Sequence, residues 1–391
     1  MKKIWFLLLN LLLVTFILSP TFYILNNERK PPEGFFFGVS YGLSTVSEAR
    51  LLIDKVKDYT NFFIINNWDI STNETALNEI CDYAAEAGLT FIVFFDFISL
   101  NPRRENLVWH REWVETAKDR WGDKFAGIYI YEEPGGKQID TGLFDELYHD
   151  DERRRMYENV TTYTEAAEIF LTELPRSWSF RYLQRHNITK FVSDYALYWF
   201  DYLAGYDTIF VELGWNHSSI QHIDLCRGAA SVQRKDWGAI ITYTYDNPPY
   251  LASGKKMLDE MLSSYEAGAK YVIIFNFPKY PKDNQYGILI EEHFTVMQQF
   301  WEYVIEYPEK YGTKDGKIAF VLPKDYGWGM RHQYDNIWLP TWGSDDLSPL
   351  IWENMHKLIE KHGLQLDIVY DDPRFKFENY DQVIFWNSTI N

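Results

Sequence analysis

Eight times between Phe35 and Tyr307 an apolar run of strand length is followed by a segment whose apolar residues recur at helical spacing. Such alternation builds βα units whose strands pair in parallel. The runs are FFFGVSYG (35–42), NFFIINNWD (61–69), TFIVFFDF (90–97), the apolar start of GIYIYEEPGG (127–136), KFVSDYAL (190–197), DTIFVELGW (207–215), AIITYTYDN (239–247) and KYVIIFNF (270–277). Ser44 is placed to N-cap the first helix, Gly88 to close the second, and the last helix ends at Pro308. The expected fold class is α/β, a (β/α)8 barrel over residues 35–311.

After YGTKDG the pattern restarts as KIAFVLP, SPLIWENMHKLIEKHG, LQLDIVYDD and YDQVIFWNST. This predicts a small βαβ, flavodoxin-like unit over 312–391 that ends at Asn391 short of a complete domain, with assembly into an oligomer possible through it. At the other end, MKK and the apolar run 4–25 have the charge and length of a signal peptide or transmembrane anchor, about the ~20 residues that span a bilayer. Lys2 and Lys3 favour a cytoplasmic N-terminus. Residues 26–34, NNERKPPEG, read as a linker, which leaves the barrel secreted or on the extracellular face of the membrane. Five N-x-S/T triplets, at Asn73, Asn159, Asn187, Asn216 and Asn387, fit a glycoprotein on that side. Cys81 and Cys226 fall in separate helices, so free buried thiols are expected.

A formal charge of -18 with no basic stripe excludes nucleic acid as a partner. Aromatic residues make up 18% of the chain, enough to fill a core and leave rings for stacking on sugars. No zinc, P-loop, dinucleotide or nucleophile-elbow motif occurs, and no metal or cofactor is expected. A lyase or sugar-phosphate barrel would need basic groups at strand ends, and the runs carry none there.

Barrel enzymes carry their chemistry at the C-terminal ends of the strands. In the fourth run, Ile128 and Ile130 suit the outer face, which turns Gly127, Tyr129, Tyr131 and Glu133 toward the axis. In the sixth, Ile209, Val211 and Leu213 face outward and Thr208, Phe210 and Glu212 inward. Two glutamates above one cavity are the minimum machinery for glycoside hydrolysis: one protonates the leaving oxygen while the other attacks or activates water. Glu133 and Glu212 are therefore the candidate catalytic residues. Tyr41, Asn67, Trp68, Asp96, Tyr131, Glu132, Asp194, Tyr243, Asp246 and Asn276 are candidates to bind sugar hydroxyls, and Trp215, Asn216 and Tyr250 follow strands where a sugar platform is useful. Gly135 and Gly136 read as the turn by which the chain leaves strand four. The insertion 137–162, with GLFDELYHDDERRRMYENV, is long enough to cover the site.

YEEP at the end of strand four resembles the N-E-P of the large clan of barrel glycoside hydrolases that includes β-galactosidases and cellulases, with Glu133 on the acid/base and Glu132 in place of Asn. The tail, in HGLQLDIVYDD and YDQVIFWNS, is similar to the trimerisation-like domain that follows the barrel in one group of β-galactosidases. That clan carries its nucleophile as Glu at the end of strand seven, whereas TYTYDNPPY offers only Asp246. The second carboxylate is then Glu212, with cleaner parity, or Asp246. The resemblance implies a glycosidase acting on an oligosaccharide or polysaccharide outside the cell. The altered strand-seven end keeps open a non-catalytic, polysaccharide-binding barrel of the cell envelope.

Overall fold

A computed structural model describes residues 29–96, 98–101, 108–142, 157, 159–278 and 284–390. The apolar run 4–25 and most of the segment expected to cover the site lie outside these residues. No helix among the described residues is long and apolar enough to cross a membrane.

In chain order the elements are β1 (Phe36–Tyr41), α1 (Val46–Val56), β2 (Phe62–Ile65), the one-turn α2 (Trp68–Ser71), α3 (Glu74–Glu86), β3 (Thr90–Asp96), α4 (Val108–Trp121), β4 (Phe125–Ile130), α5 (Pro134–Thr141), α6 (Tyr163–Arg176), α7 (Trp178–Arg185) and β5 (Lys190–Asp194). They continue with α8 (Tyr198–Ala204), β6 (Thr208–Leu213), α9 (Ser219–Gln233), β7 (Asp236–Ile241), α10 (Gly254–Glu266), β8 (Tyr271–Ile274) and α11 (Glu291–Glu306). β1 to β8 pair in sequence order and close on themselves, all in parallel, which is the expected (β/α)8 barrel. A C-terminal unit follows: β9 (Ile318–Leu322), α12 (Ser348–His362), β10 (Leu366–Tyr370) and β11 (Gln382–Phe385), with its three parallel strands in the order β10, β9, β11.

Side chains from alternate strand positions plug the lower barrel with rings. Tyr271 stacks on Phe36 at 5.0 Å and meets Phe62, Phe191 and Phe210 at 5.2, 5.6 and 5.6 Å. Gly238 makes room for it, since a Cβ there would lie 2.7 Å from the Cβ of Tyr271. Above these rings Tyr129 packs on Phe94 at 4.9 Å, and polar side chains begin one layer higher. The floor is therefore closed and apolar, and polar chemistry is confined to the C-terminal mouth.

Three boundaries differ from the expectation. The cap of α1 is Thr45, whose hydroxyl accepts from the amide of Glu48, and not Ser44. The second strand stops at Ile65, and Asn67 instead caps α2 by accepting from the amide of Ile70, so Asn67 and Trp68 belong to a helical turn. The seventh strand is Asp236–Ile241, because DWGAII matches β6 residue for residue from Thr208 to Leu213. The TYTYDNPPY stretch that follows is a loop closed on itself, where Thr244 and Tyr245 both donate to the carbonyl of Tyr250.

The C-terminal unit shares one continuous core with the barrel. Ten consecutive residues of α9, Gln221 to Ala230, are buried, because the barrel covers one side and β10 the other. Gly228 permits this contact: a Cβ there would stand 2.7 Å from the carbonyl oxygen of Ile368. Arg227 crosses the same interface to Asp367 at 2.7 Å. Cys81 and Cys226 are free and buried.

Candidate active site

β4 ends at Ile130, so the pleat that pointed to Glu133 has stopped three residues before it. Tyr131 and Glu133 instead adopt left-handed backbone, with φ of 61° and 51°. Non-glycine residues held there cost on the order of 1–3 kcal/mol each and persist only where their surroundings enforce them. Here β5 does so. The amide of Glu133 donates to the carbonyl of Ser193 at 3.1 Å. Just beyond, the amides of Gly135 and Gly136 donate to the Asp194 carboxylate at 2.6 and 2.8 Å. The EEPGG stretch is thus the start of helix α5, with Glu133 at its N-cap, Pro134 at its first position and Asp194 supplying the acceptor from the neighbouring strand. This corrects the expectation of a glycine turn leading out of strand four.

Glu212 stands at the top of β6 on the inner face, 6% exposed. Its Oε1 accepts from Ser193 Oγ at 2.6 Å, and Ser193 Oγ lies 2.7 Å from the hydroxyl of Tyr129. The charge of Glu133 acts on the Glu212 carboxyl, and Glu212 in turn is among the groups that act on Glu133. The two glutamates expected from sequence therefore come close in the barrel mouth. Burial, then the charges of Glu132 and Asp194, push Glu133 up to about 8, against which Lys137 and the neighbouring Glu212 carboxyl pull. Burial and the charge of Glu133 raise Glu212 well above the ordinary carboxylate range, with Ser193 opposing. Neighbouring carboxyls raised in this way hold protons toward neutrality, and their titration steps belong to the pair.

The remaining expected residues divide by burial. Asp194 is fully buried and spent on four backbone amides, those of Gly135, Gly136, Tyr195 and Ala196, so it shapes the site and does not bind sugar. Burial, outweighing those amides, holds it up at about 6. Tyr41 is fully buried on the outer face of β1 and serves the loop before α1, taking the amide of Thr45 at 2.9 Å. Asn67 is occupied as a cap and donates to the carbonyl of Gly42. Asn276 is fully buried and its Oδ1 accepts from the amide of Ile288. Each of these four side chains is engaged in hydrogen bonds that hold the loops around the site. Asp246 sits exposed in the loop, five residues beyond the true end of β7, and is not among the charges that act on Glu133. The side chain of Asp96, at the end of β3, lies outside the described residues.

Others line the mouth. Glu132 is the charge that raises Glu133 most, and it also acts on the phenol of Tyr243. Tyr131 is buried beneath it. Trp215, 39% exposed, leans on Tyr243 at 5.6 Å, and Tyr243 meets Phe275 and Tyr250 at 5.2 and 6.3 Å. Asn216 is exposed beside it, and Trp68 is exposed on α2. Trp215, Asn216 and Tyr250 repeat the left-handed backbone seen at Tyr131 and Glu133, so the loops after β4, β6 and β7 turn sharply at the rim. All five glycosylation triplets have exposed asparagines.

Ser193 was not foreseen, although alternation in KFVSDYAL carries the signal. Phe191 faces the ring-filled interior, so Ser193 shares its side while Asp194 faces out. Among the described residues no group of three or more His, Cys, Asp or Glu is arranged to hold a metal ion.

Among solved structures the fold is similar to α-L-fucosidase isoenzyme 2 from Paenibacillus thiaminolyticus, with a TM-score of 0.51 and 11% identity, over 89% of this chain and 59% of that one. It is also similar to a GH10 structure from Paenibacillus barcinonensis, with a TM-score of 0.41 and 10% identity over 70% and 94% of the two chains. A third is the β-mannanase of the blue mussel Mytilus edulis, with a TM-score of 0.37 and 9% identity over 68% and 92%. The chain spans less than two thirds of the fucosidase, and at these identities the likeness is one of barrel fold. No family model and no curated protein matches the chain.

Proposed function

We propose that this chain is a glycoside hydrolase of extracellular or cell-surface glycans, with Glu133 as general acid/base and Glu212 as the nucleophile or water-activating base. The observation that carries this reading is the pair of neighbouring, interacting carboxyls at the mouth of a barrel whose floor is closed and apolar. Export rests on the apolar run 4–25 behind Lys2 and Lys3. The names of the barrels it resembles, a fucosidase and a mannanase among them, agree with a sugar substrate.

A carboxyl that holds its proton near neutrality is what the chemistry needs, and Glu133 is raised to about 8. With a sugar in the mouth, Glu133 delivers that proton to the glycosidic oxygen as the bond from the anomeric carbon breaks. The Glu212 carboxylate, held by Ser193, bonds to that carbon, and water deprotonated by Glu133 later displaces it. Trp215, Tyr243 and Tyr250 supply aromatic surface beside this point, and Glu132 and Asn216 supply hydrogen-bonding groups.

The strand-seven end, where Asp246 is the one acid and stands exposed in a loop, favours a second reading, a polysaccharide-binding barrel without turnover. Turnover on a panel of glycans decides between them. The enzyme reading expects hydrolysis by the native chain and a loss of at least about a thousandfold in both Glu133→Gln and Glu212→Gln. Glycan binding by the native chain without any turnover would leave only the binding barrel.

A further inference from the structure

The loop between β9 and α12 leaves the C-terminal sheet and docks on α5. Arg331 pairs with Asp140 at 2.7 Å. Asn336 Nδ2 donates to the carbonyl of Ile139 at 3.2 Å, and Gln138 Nε2 donates to the carbonyl of Trp338 at 3.0 Å. Leu339 and Pro340 lie against Gly142, where the helix ends. The far side of α5 is held by the barrel: Tyr195 donates to Asp140 at 2.6 Å and its ring lies on Gly136, while Asp194 holds the first turn.

An isolated ion pair as exposed as Arg331 with Asp140 contributes little. This one is different because the guanidinium is already fixed. Its Nε and Nη2 each bond Asp335 at 2.8 Å, and Asp335 is 2% exposed. The loop is rigid in its own right, with Trp338 fully buried and its indole donating to the carbonyl of Asp325 at 2.7 Å. The helix it holds has only eight residues, too few to persist without tertiary support. Its N-cap is Glu133.

We propose that the β9–α12 loop is a clamp on α5 that keeps Glu133 against Glu212, with Arg331 and Asp140 as positioning residues. The C-terminal unit then completes the site of its own barrel. The catalytic half of this proposal rests on the hydrolase reading; the mechanical half does not.

Both halves are tested in the full-length chain with Arg331→Ala, Arg331→Lys and Asp140→Asn, by hydrogen exchange of the amides of 135–141 and by kcat and KM. The clamp expects R331A and D140N to speed exchange in α5 at least tenfold while β1 to β3 keep native protection. It also expects kcat to fall about tenfold with KM within twofold of native, and R331K, which keeps the charge but loses the fork, to lie between. Native exchange in α5 of both R331A and D140N would overturn it, as would an equal rise throughout the barrel. If R331A does not fold, D140N decides. If the native chain hydrolyses no glycan, the functional reading falls and exchange alone decides the clamp.

Discussion

Gly136→Ala sets two physical effects of opposite sign against each other. Gly136 is the third residue of α5, and replacing a helical glycine by alanine ordinarily stabilises by up to about 1 kcal/mol. The added Cβ, however, would lie 2.1 Å from Cζ of Tyr195 and 2.4 and 2.5 Å from its Cε atoms. Carbon atoms in contact need about 3.5–4.0 Å, so ring and helix must part by roughly 1.5 Å. The ring cannot swing away freely, because its hydroxyl is bonded to Asp140 at 2.6 Å and its amide to Asp194 at 2.7 Å. Overpacking of this kind costs about 1–3 kcal/mol. With a clash this close the overpacking outweighs the gain, for a net loss of up to about 2 kcal/mol. Relief by lifting α5 carries Glu133 with it, and a misplacement near 1 Å lowers turnover by about a hundredfold. Urea unfolding gives the first number and kcat the second. Trimming the ring in Gly136→Ala with Tyr195→Leu should restore most of the stability. A higher urea midpoint with native kcat in G136A would refute the packing of α5 on β5.

The barrel was legible because its strands are buried on both sides and read as nearly unbroken apolar runs; β2 is FFII with all four residues buried. Alternation carried through β6 and placed Glu212 correctly. For Glu133 the alternation does not apply, since β4 stops at Ile130 and left-handed backbone at Tyr131 and Glu133 sets where the carboxyl lies. That backbone is imposed by the carbonyl of Ser193 and the carboxylate of Asp194, and a strand's partner cannot be read from its own residues. The same cause hid the role of Asp194: it looks like any polar strand end until α5 is seen to need an acceptor. β7 was misplaced because TYTY has strand composition, whereas register with β6 selects DWGAII. The clamp joins residues far apart in the chain, Asp140 to Arg331 and Gln138 to Trp338, and no local pattern announces such contacts.

Two further outcomes follow from the buried charges. With Glu133 pushed up to about 8, the folded chain holds a proton that the unfolded chain releases near about 4.5. Its contribution to stability is fully present below about 4.5 and lost as pH rises through about 8. Unfolding free energy should decline across that window, and Glu133→Gln, which cannot ionise, should flatten the decline; an unchanged slope would mean that Glu133 titrates normally. At the barrel's junction with the C-terminal sheet, Arg227 lies between Asp367 at 2.7 Å and Asp224 at 3.2 Å, all three buried, and also donates to the carbonyls of Leu366 and Lys314. Burial raises Asp224 well above the ordinary carboxylate range, with Arg227 opposing, and the shorter contact of Arg227 is the one to Asp367. Arg227→Met removes the cation and strands that carboxylate with Tyr380 as its remaining side-chain donor, at 2.7 Å. Breaking a buried pair in this way costs about 3–5 kcal/mol, whereas replacing both partners with apolar groups is often neutral. Arg227→Met should lose that much in urea unfolding, and adding Asp367→Leu should recover most of it. A double variant as unstable as the single one would mean that the backbone bonds of Arg227, and not its charge, hold the sheet to α9.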